Sequence, residues 1–279
     1  MRIEENVSLS NYTTFHMGGV AKKLIIPETE PELLEVIQNT KLPRYLIGGG
    51  SNLLINDQRE FDAVISLREF SKDIMDMGDG KFYVGASVRL QKLIKTINEN
   101  GYGGIEYLYS VPGLVGGAIV MNAGRGNAKD EIGKYVVSVR VIQDGMVREI
   151  SKDDCQFKRR SSIFKGSDIV VLGALFSFTA GNPEDFVRLQ EERIEHVRKV
   201  QDNSKPNFGT VFCCADSHIM GFVQKCHKRN AGVCFSPKTK NWLLNDNGTF
   251  EQATKEINWV KKLHKFFRRC CETEVIIWK

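Results

Sequence analysis

The sequence predicts an α+β chain of roughly two domains. Three observations lead there. Short apolar runs alternate with helical patterns through the first 180 residues. The composition turns to a charged helix after Gly181-Asn182-Pro183. The 279 residues are 42% hydrophobic and 26% charged, enough for a core without disulfides or metals. The expected division is residues 1–180, strand-rich with short helices, and a smaller α+β unit over residues 181–279.

The elements follow in order. Leu24-Ile25-Ile26 reads as a strand ended by Pro27, and Thr29 with Glu32 three residues later is a capping box for a helix carrying Leu33, Leu34 and Ile37. Tyr45-Leu46-Ile47 is a strand running into Gly48-Gly49-Gly50, and Ala63 to Leu67 is another. Tyr83 to Ala86 is strand-like. After it Leu90, Leu93, Ile94 and Ile97 share one helical face that Gly101 terminates. Val136 to Ile142, the Asp144-Gly145 turn and Met146 to Ile150 form a hairpin, followed by a strand from Ile169 to Phe176. The charged helix places Phe186, Leu189, Ile194, Val197 and Val200 near helical spacing, and a polar stretch runs from Gln201 to Asn207. A last helix from Glu251 to about Phe267 carries Ala253, Ile257, Val260 and Phe267, before a closing strand Glu274-Val275-Ile276-Ile277.

The formal net charge is +5, too small to suggest a nucleic-acid partner. Over residues 205–279 basic residues outnumber acidic ones by about two to one, which fits either an anionic ligand or a solvated basic face. The seven cysteines are an odd number, as expected for reduced thiols. Met1-Arg2-Ile3-Glu4-Glu5 lacks an apolar h-region, and no stretch approaches the roughly 18 apolar residues of a membrane span. A cytoplasmic, soluble protein is expected, a monomer by default.

Two segments carry chemistry. Ile47, Gly48, Gly49, Gly50, Ser51, Asn52 and Leu53 place three glycines directly after a strand. Backbone N–H groups without Cβ atoms can converge on a diphosphate, with Ser51 and Asn52 as further donors; a tight glycine turn is the other reading. The spacing is neither a dinucleotide fingerprint nor a P-loop. The second segment runs from Ser110 through Val111, Pro112, Gly113, Gly116, Gly117 and Val120 to Gly124. Small residues in an apolar run let a flat ligand such as a flavin approach the backbone, or let a helix pack closely on a sheet.

With Asn11-Tyr12-Thr13-Thr14-Phe15-His16-Met17-Gly18-Gly19-Val20-Ala21 upstream, these segments resemble the UDP-N-acetylenolpyruvoylglucosamine reductase (UDP-N-acetylmuramate dehydrogenase) family, in its shorter, type II-like form. The resemblance runs from about Asn11 to Val275. It implies a vanillyl-alcohol-oxidase (VAO/PCMH-type) FAD-binding domain, in which residues 47–53 and 111–124 hold the diphosphate and isoalloxazine, and a smaller C-terminal α+β substrate domain. It also implies FAD as cofactor, NADPH as electron donor, a nucleotide-sugar substrate and a place in peptidoglycan synthesis. In the family, hydride reaches the enolpyruvyl C3, and a side-chain hydroxyl protonates C2.

The catalytic positions carry over residue by residue. Cys155-Gln156-Phe157-Lys158-Arg159-Arg160-Ser161-Ser162-Ile163-Phe164-Lys165 resembles the family's Cys-x-Phe-x-Tyr-Arg-x-Ser-x-Phe-Lys, which puts Arg160 at the catalytic arginine and Arg159 at a tyrosine position. Read as a bare pair, Arg159-Arg160 also fits an exposed basic surface. Gly209-Thr210-Val211-Phe212-Cys213-Cys214-Ala215 stands where the family has Gly-Ser-x-Phe-Lys-Asn-Pro, so Thr210 takes the proton-donor position. Its methyl group fixes χ1; Cys213 or Cys214 as a surrogate acid, or as small buried side chains, are the alternatives. Glu274 matches the terminal catalytic glutamate, or is an exposed strand carboxylate. Lys225 to Gly232 and Phe235 to Trp242 rewrite the family's substrate segments while keeping positive charge.

No C-x-x-C pair occurs among Cys213, Cys214, Cys226, His227, Cys234, Cys270 and Cys271, so no metal site is expected. The rewritten segments leave two further readings: a flavin-binding paralogue without the reaction, and an oxidoreductase acting on another anionic substrate.

Overall fold

The computed structural model describes all residues except 40–44, 126–129 and 227–231. Most of the substrate segment Lys225 to Gly232, His227 included, therefore lies outside the described residues. Two compact units emerge, and they interleave along the chain. One is Met1–Glu4, Leu24–Gly49 and Ala63–Val197; the other is Glu5–Lys23, Gly50–Asp62 and Arg198–Lys279.

The first unit is built on an antiparallel sheet in the order Met146–Ser151, Val136–Gln143, Val170–Ser177, Lys81–Gly85, Ile74–Asp76. Its hairpin closes through Asp144 (φ 53°) and Gly145 (φ 71°), with Gln143 opposite Met146. Two consecutive left-handed residues match the twist of the paired strands, which is why Asp-Gly works there. Helices Leu90–Glu99 and Val115–Val120 bury Leu93, Ile94, Ile97, Val115 and Ile119 against Phe82, Val84 and Phe176 of the sheet. Gly101, at φ 80°, ends the longer helix as its sequence position predicts.

The same unit holds a parallel ladder in which Tyr45–Ile47 and the end of Val20–Ile26 flank Val64–Ser66. Helix Glu30–Asn39 covers it with Leu33, Val36 and Ile37. The capping box differs in detail from the expectation. Thr29 Oγ1 accepts from the Glu32 amide at 3.4 Å, but Glu32 Oε2 reaches one residue further back, to the Glu28 amide at 2.8 Å. In helix Pro183–Val200 only Phe186 is buried, whereas Val187, Leu189 and Val200 are exposed, so the helical spacing there does not mark a core face.

The second unit contains the sheet Asn207–Thr210, Trp242–Asn245, Val233–Phe235, the ladder of Phe212–Cys214 with Glu272–Thr273, and the parallel pair Leu53–Ile55 with Ile276–Trp278. Phe15, Phe208, Phe212, Val223, Leu243 and Ile257 form its core with helices Ser217–Cys226 and Phe250–Phe266. Two expectations are corrected here. Phe267 is 57% exposed, because the helix has already reached its C-cap there. The closing strand is Ile276–Trp278; Glu274 and Val275 lie outside it, since the Glu274 amide is drawn to the Val211 carbonyl at 2.8 Å.

Strands Leu53–Ile55, Glu60–Phe61 and Phe212–Cys214 were not legible as elements, because two or three residues carry no measurable period, and the ten-residue helix Ser217–Cys226 was missed as well. Among the described residues no helix is long and apolar enough to cross a membrane, and no group of three or more His, Cys, Asp or Glu side chains fits a metal ion.

Helix Phe250–Phe266 starts with a full capping box: Thr249 Oγ1 accepts from the Gln252 amide, and Gln252 Oε1 accepts from the Thr249 amide. Thr249→Ala is expected to cost about 1 kcal/mol of stability, read as a lower urea midpoint at unchanged m-value; an unchanged midpoint would contradict the cap.

Candidate functional site

In the first unit the glycine run leaves strand Tyr45–Ile47 and meets the second glycine segment directly. A Cβ on Gly49 would lie 3.2 Å from Gly113 Cα, and one on Gly48 would touch only Leu114 at 3.8 Å. Arg68 holds the loop from one side. Its Nε donates to the Gly48 carbonyl at 3.1 Å, and its Nη2 reaches the Gly49 carbonyl at 3.5 Å. In a trans peptide the C=O and N–H point in opposite directions. The carbonyls that face Arg68 therefore turn the amides of Gly49 and Gly50 the other way, as an anion nest requires. The sequence reading missed Arg68, whose only signal is a cation just past the strand Val64–Ser66.

The second segment is a helix, Val115–Val120, rather than an open loop, and its glycines differ in purpose. Gly116 is buried, and a Cβ there would sit 2.9 Å from the Ala86 Cβ, so it serves the close packing of helix on sheet. Gly117 is exposed, with nothing within 4 Å of its Cβ position, and it leaves bare backbone on the opposite face. Gly113 has φ 153°, Val111 is half-buried against the core, and Pro112 is exposed. A Cβ on Gly124 would lie 2.4 Å from the Asp130 carbonyl. Both readings of this segment thus hold at different residues. A backbone face stripped of side chains, beside a glycine loop with outward amides, suits a flat ring carrying a diphosphate.

Asn122 ties this helix to the arginine segment. Nearly fully buried in the left-handed region (φ 43°), it donates to Glu131 Oε2 at 2.6 Å and to the Lys158 carbonyl at 3.0 Å, and its Oδ1 accepts from the Gly133 amide at 3.0 Å. Ser162 Oγ donates to the Val120 carbonyl at 2.8 Å. Between these anchors Lys158 and Ser161 exchange both backbone hydrogen bonds, closing a two-residue turn on Arg159 and Arg160. Arg159 is exposed. Arg160 is half-buried and adopts φ 55°, with its carbonyl accepting from Lys165 Nζ at 3.2 Å. A left-handed arginine costs on the order of 1 kcal/mol, and strain of this kind collects at functional positions.

The second unit assembles the remaining candidates. Gly50 has φ 66°, and a Cβ there would fall 1.8 Å from the Tyr12 carbonyl, so only glycine fits. Ser51 is half-buried and Leu53 is buried at the start of its strand. Asn52 is committed internally: its Nδ2 donates to the Glu274 carbonyl at 3.2 Å and its own carbonyl accepts from the Ile276 amide at 3.0 Å. Asn52 therefore clamps the C-terminal strand. Glu274, half-buried, is held at both backbone groups, through Asn52 and Val211.

Thr210 is half-buried and pairs with Trp242. Asn241 fixes the segment after it, exchanging side-chain hydrogen bonds with both backbone groups of Phe212 (3.0 and 2.8 Å) and accepting the Val211 amide at 2.9 Å. Thr210 and Glu274 are thus brought to one stretch of backbone around Val211. Cys213 and Cys214 are half-buried rather than core side chains, and Cys213 lies 3.5 Å from the Glu272 carbonyl. Cys155, by contrast, is buried, and desolvation pushes its thiol up to about 11, which leaves it inert. Ser236 is fully buried and donates to Asp202 at 2.5 Å, so it secures the rewritten segment from inside.

Residues 21–151 match the family described as FAD binding domain. UDP-N-acetylenolpyruvoylglucosamine reductase of Prochlorococcus marinus (strain NATL2A) is 30% identical over 278 residues, covering 94% of this chain and 92% of the relative. UDP-N-acetylenolpyruvoylglucosamine reductase 1 of Bacillus cereus is 31% identical over 260 residues, covering 90% and 85%. The crystal structure of the corresponding enzyme from Thermus caldophilus matches with a TM-score of 0.83 over 100% of both chains at 24% identity, and shares the fold. Identity at this level across nearly the full length of both partners leads to one conclusion: the chain belongs to the UDP-N-acetylenolpyruvoylglucosamine reductase family.

Proposed function

We propose that the protein is an FAD-dependent, NADPH-using reductase that converts UDP-N-acetylglucosamine enolpyruvate to UDP-N-acetylmuramate for peptidoglycan. What carries this reading is the end-to-end similarity to reductases of that name. The reaction belongs in the cytoplasm, carried out by a monomer, and feeds cell-wall biogenesis and through it cell shape and division. Residues 1–180 supply the cofactor site, and residues 181–279 the substrate side.

FAD, when bound, supplies the carriage of a hydride from NADPH to the enolpyruvyl C3. In the proposed assignment the glycine loop of Ile47, Gly48, Gly49, Gly50 and Ser51 binds the diphosphate, with Asn52 and Leu53 holding its far end, and Val111, Pro112, Gly113, Gly117, Val120 and Gly124 border the ring, with Gly116 seating their helix on the sheet. Arg160 stabilises the negative charge that grows on the substrate carboxylate as C2 becomes a carbanion. A cation preset by a strained turn needs little reorganisation, and one donor of that kind is worth about 2.7–4 kcal/mol of barrier. Thr210 gives its hydroxyl proton to C2. Glu274, anchored through its own backbone, polarises the carboxylate or assists the proton transfer. The half-buried Cys213 and Cys214, in place of polar substrate contacts, favour a second reading, an oxidoreductase for another anionic substrate.

Anaerobic reduction of the flavin by NADPH, followed by addition of UDP-N-acetylglucosamine enolpyruvate, is expected to reoxidise it. Absence of reoxidation with a bound, reducible flavin would move the assignment to the second reading. In the same assay Thr210→Ser is expected to raise turnover by freeing χ1; an unchanged rate would point to a different acid. Arg160→Gly removes both the guanidinium and the left-handed strain, so turnover should fall by about 10²–10³-fold while the melting temperature holds or rises. A parallel loss of stability would make Arg160 structural. Gly117→Ala is expected to keep the fold and weaken FAD binding by about tenfold, read by flavin fluorescence. Gly116→Ala should instead lower stability, through its contact with Ala86.

A further inference from the structure

Helix Phe250–Phe266 ends in two aromatic side chains that the core does not take. The helix buries one stripe, Ala253, Ile257, Val260 and His264. Lys255, Asn258, Lys262, Lys265 and Phe266 are exposed on its other side. Phe266 is 79% exposed and Phe267 57%, and their rings meet edge to face with centroids 5.0 Å apart. Five basic residues, Lys261, Lys262, Lys265, Arg268 and Arg269, flank the pair in sequence, and no acidic residue occurs between Glu256 and Glu272. Arg269 Nε lies 3.5 Å from Asp216 Oδ2, whereas among the described residues Lys262, Lys265 and Arg268 form no ion pair.

This end of the helix is fixed. The Arg269 amide donates to the His264 carbonyl at 2.8 Å and the Arg268 amide to the Lys265 carbonyl at 3.1 Å, the paired bonds of a Schellman cap. The cap holds Arg268 at φ 52°, a left-handed position that usually falls to glycine. From inside, the fully buried His264 anchors the same turn: its Nε2 accepts the Asp216 amide at 2.9 Å, and its Nδ1 donates to the Val260 carbonyl at 2.9 Å. Two phenyl rings on a turn closed in this way have no local route into the core. Exposed apolar surface edged by charge marks a place of interaction.

We propose that this helix end docks on an anionic lipid surface. Charge complementarity selects the occupant. The cations reach headgroup phosphates, and the two rings, which carry no hydrogen-bonding group, enter the boundary of the acyl chains. An acidic polymer satisfies the cations alone. A bilayer satisfies both features, because its apolar interior lies directly beneath its charge. None of Arg160, Thr210 and Glu274 takes part, so the docking is independent of the reaction proposed above.

Co-sedimentation of the purified protein with vesicles of phosphatidylcholine containing one third phosphatidylglycerol is expected to show binding, with little or none to phosphatidylcholine alone. Raising the salt from about 0.1 to 0.5 M should release the protein, since the Debye length then shrinks. Lys262→Gln with Lys265→Gln should weaken the binding by about fivefold per charge removed. Phe266→Ser with Phe267→Ser should weaken it by about tenfold or more; both side chains are exposed, so an unchanged melting temperature is expected and serves as the check on folding. In Phe266→Trp the added emission should shift to the blue with the anionic vesicles and stay in place with soluble polyglutamate. No binding to the anionic vesicles would overturn the proposal. So would binding that survives loss of both phenylalanines, or equal binding to polyglutamate without a shift in emission, since either result describes an ionic surface for an acidic macromolecule.

Discussion

The approach of one bare backbone to another is the constraint on which the candidate cofactor site depends. Gly49 stands so close to Gly113 that a Cβ would lie 3.2 Å from its Cα, and Arg68 secures the carbonyl side of the same loop. The two segments come from different parts of the chain, yet they form one surface because side chains are missing where they meet. A side chain at Gly49 would press on Gly113, which would have to yield by a few tenths of an ångström.

Asparagine side chains do the corresponding work elsewhere. A side-chain amide offers a donor and an acceptor on one rigid plane, so it can stand in for a missing strand partner. Asn122 does this for Gly133 and Lys158, Asn241 for both groups of Phe212, and Asn52 for the Glu274 carbonyl. Each lies beside a proposed catalytic residue: the turn bearing Arg160, the segment bearing Thr210, and Glu274 itself. These regions are irregular, without enough ladder hydrogen bonds to hold a fixed geometry, and buried polar groups that lack partners are costly. The amides supply both partners and position.

Much of this was legible in the residues. The hairpin at Asp144-Gly145, the helix ended by Gly101 and the amphipathic face of Leu90, Leu93, Ile94 and Ile97 follow from turn chemistry and period. The end of the chain was less legible. The apolar run Val275-Ile276-Ile277 suggested a strand beginning at Glu274, but a distant carbonyl at Val211 takes the Glu274 amide and delays the strand to Ile276. Likewise the spacing of Phe186, Leu189 and Val200 resembles a buried face, yet only Phe186 finds a core to enter.

The sequence by itself determined the kinds of element, the turn glycines Gly101 and Gly145, and through its motifs the family. These depend on interactions within a few residues, which are written in local order. Tertiary structure alone decided that Gly116 packs while Gly117 stays open, and that Asn52 clamps Glu274 across more than two hundred residues. Such pairings need both ends placed by packing of the intervening chain, and no local pattern records where that packing brings them.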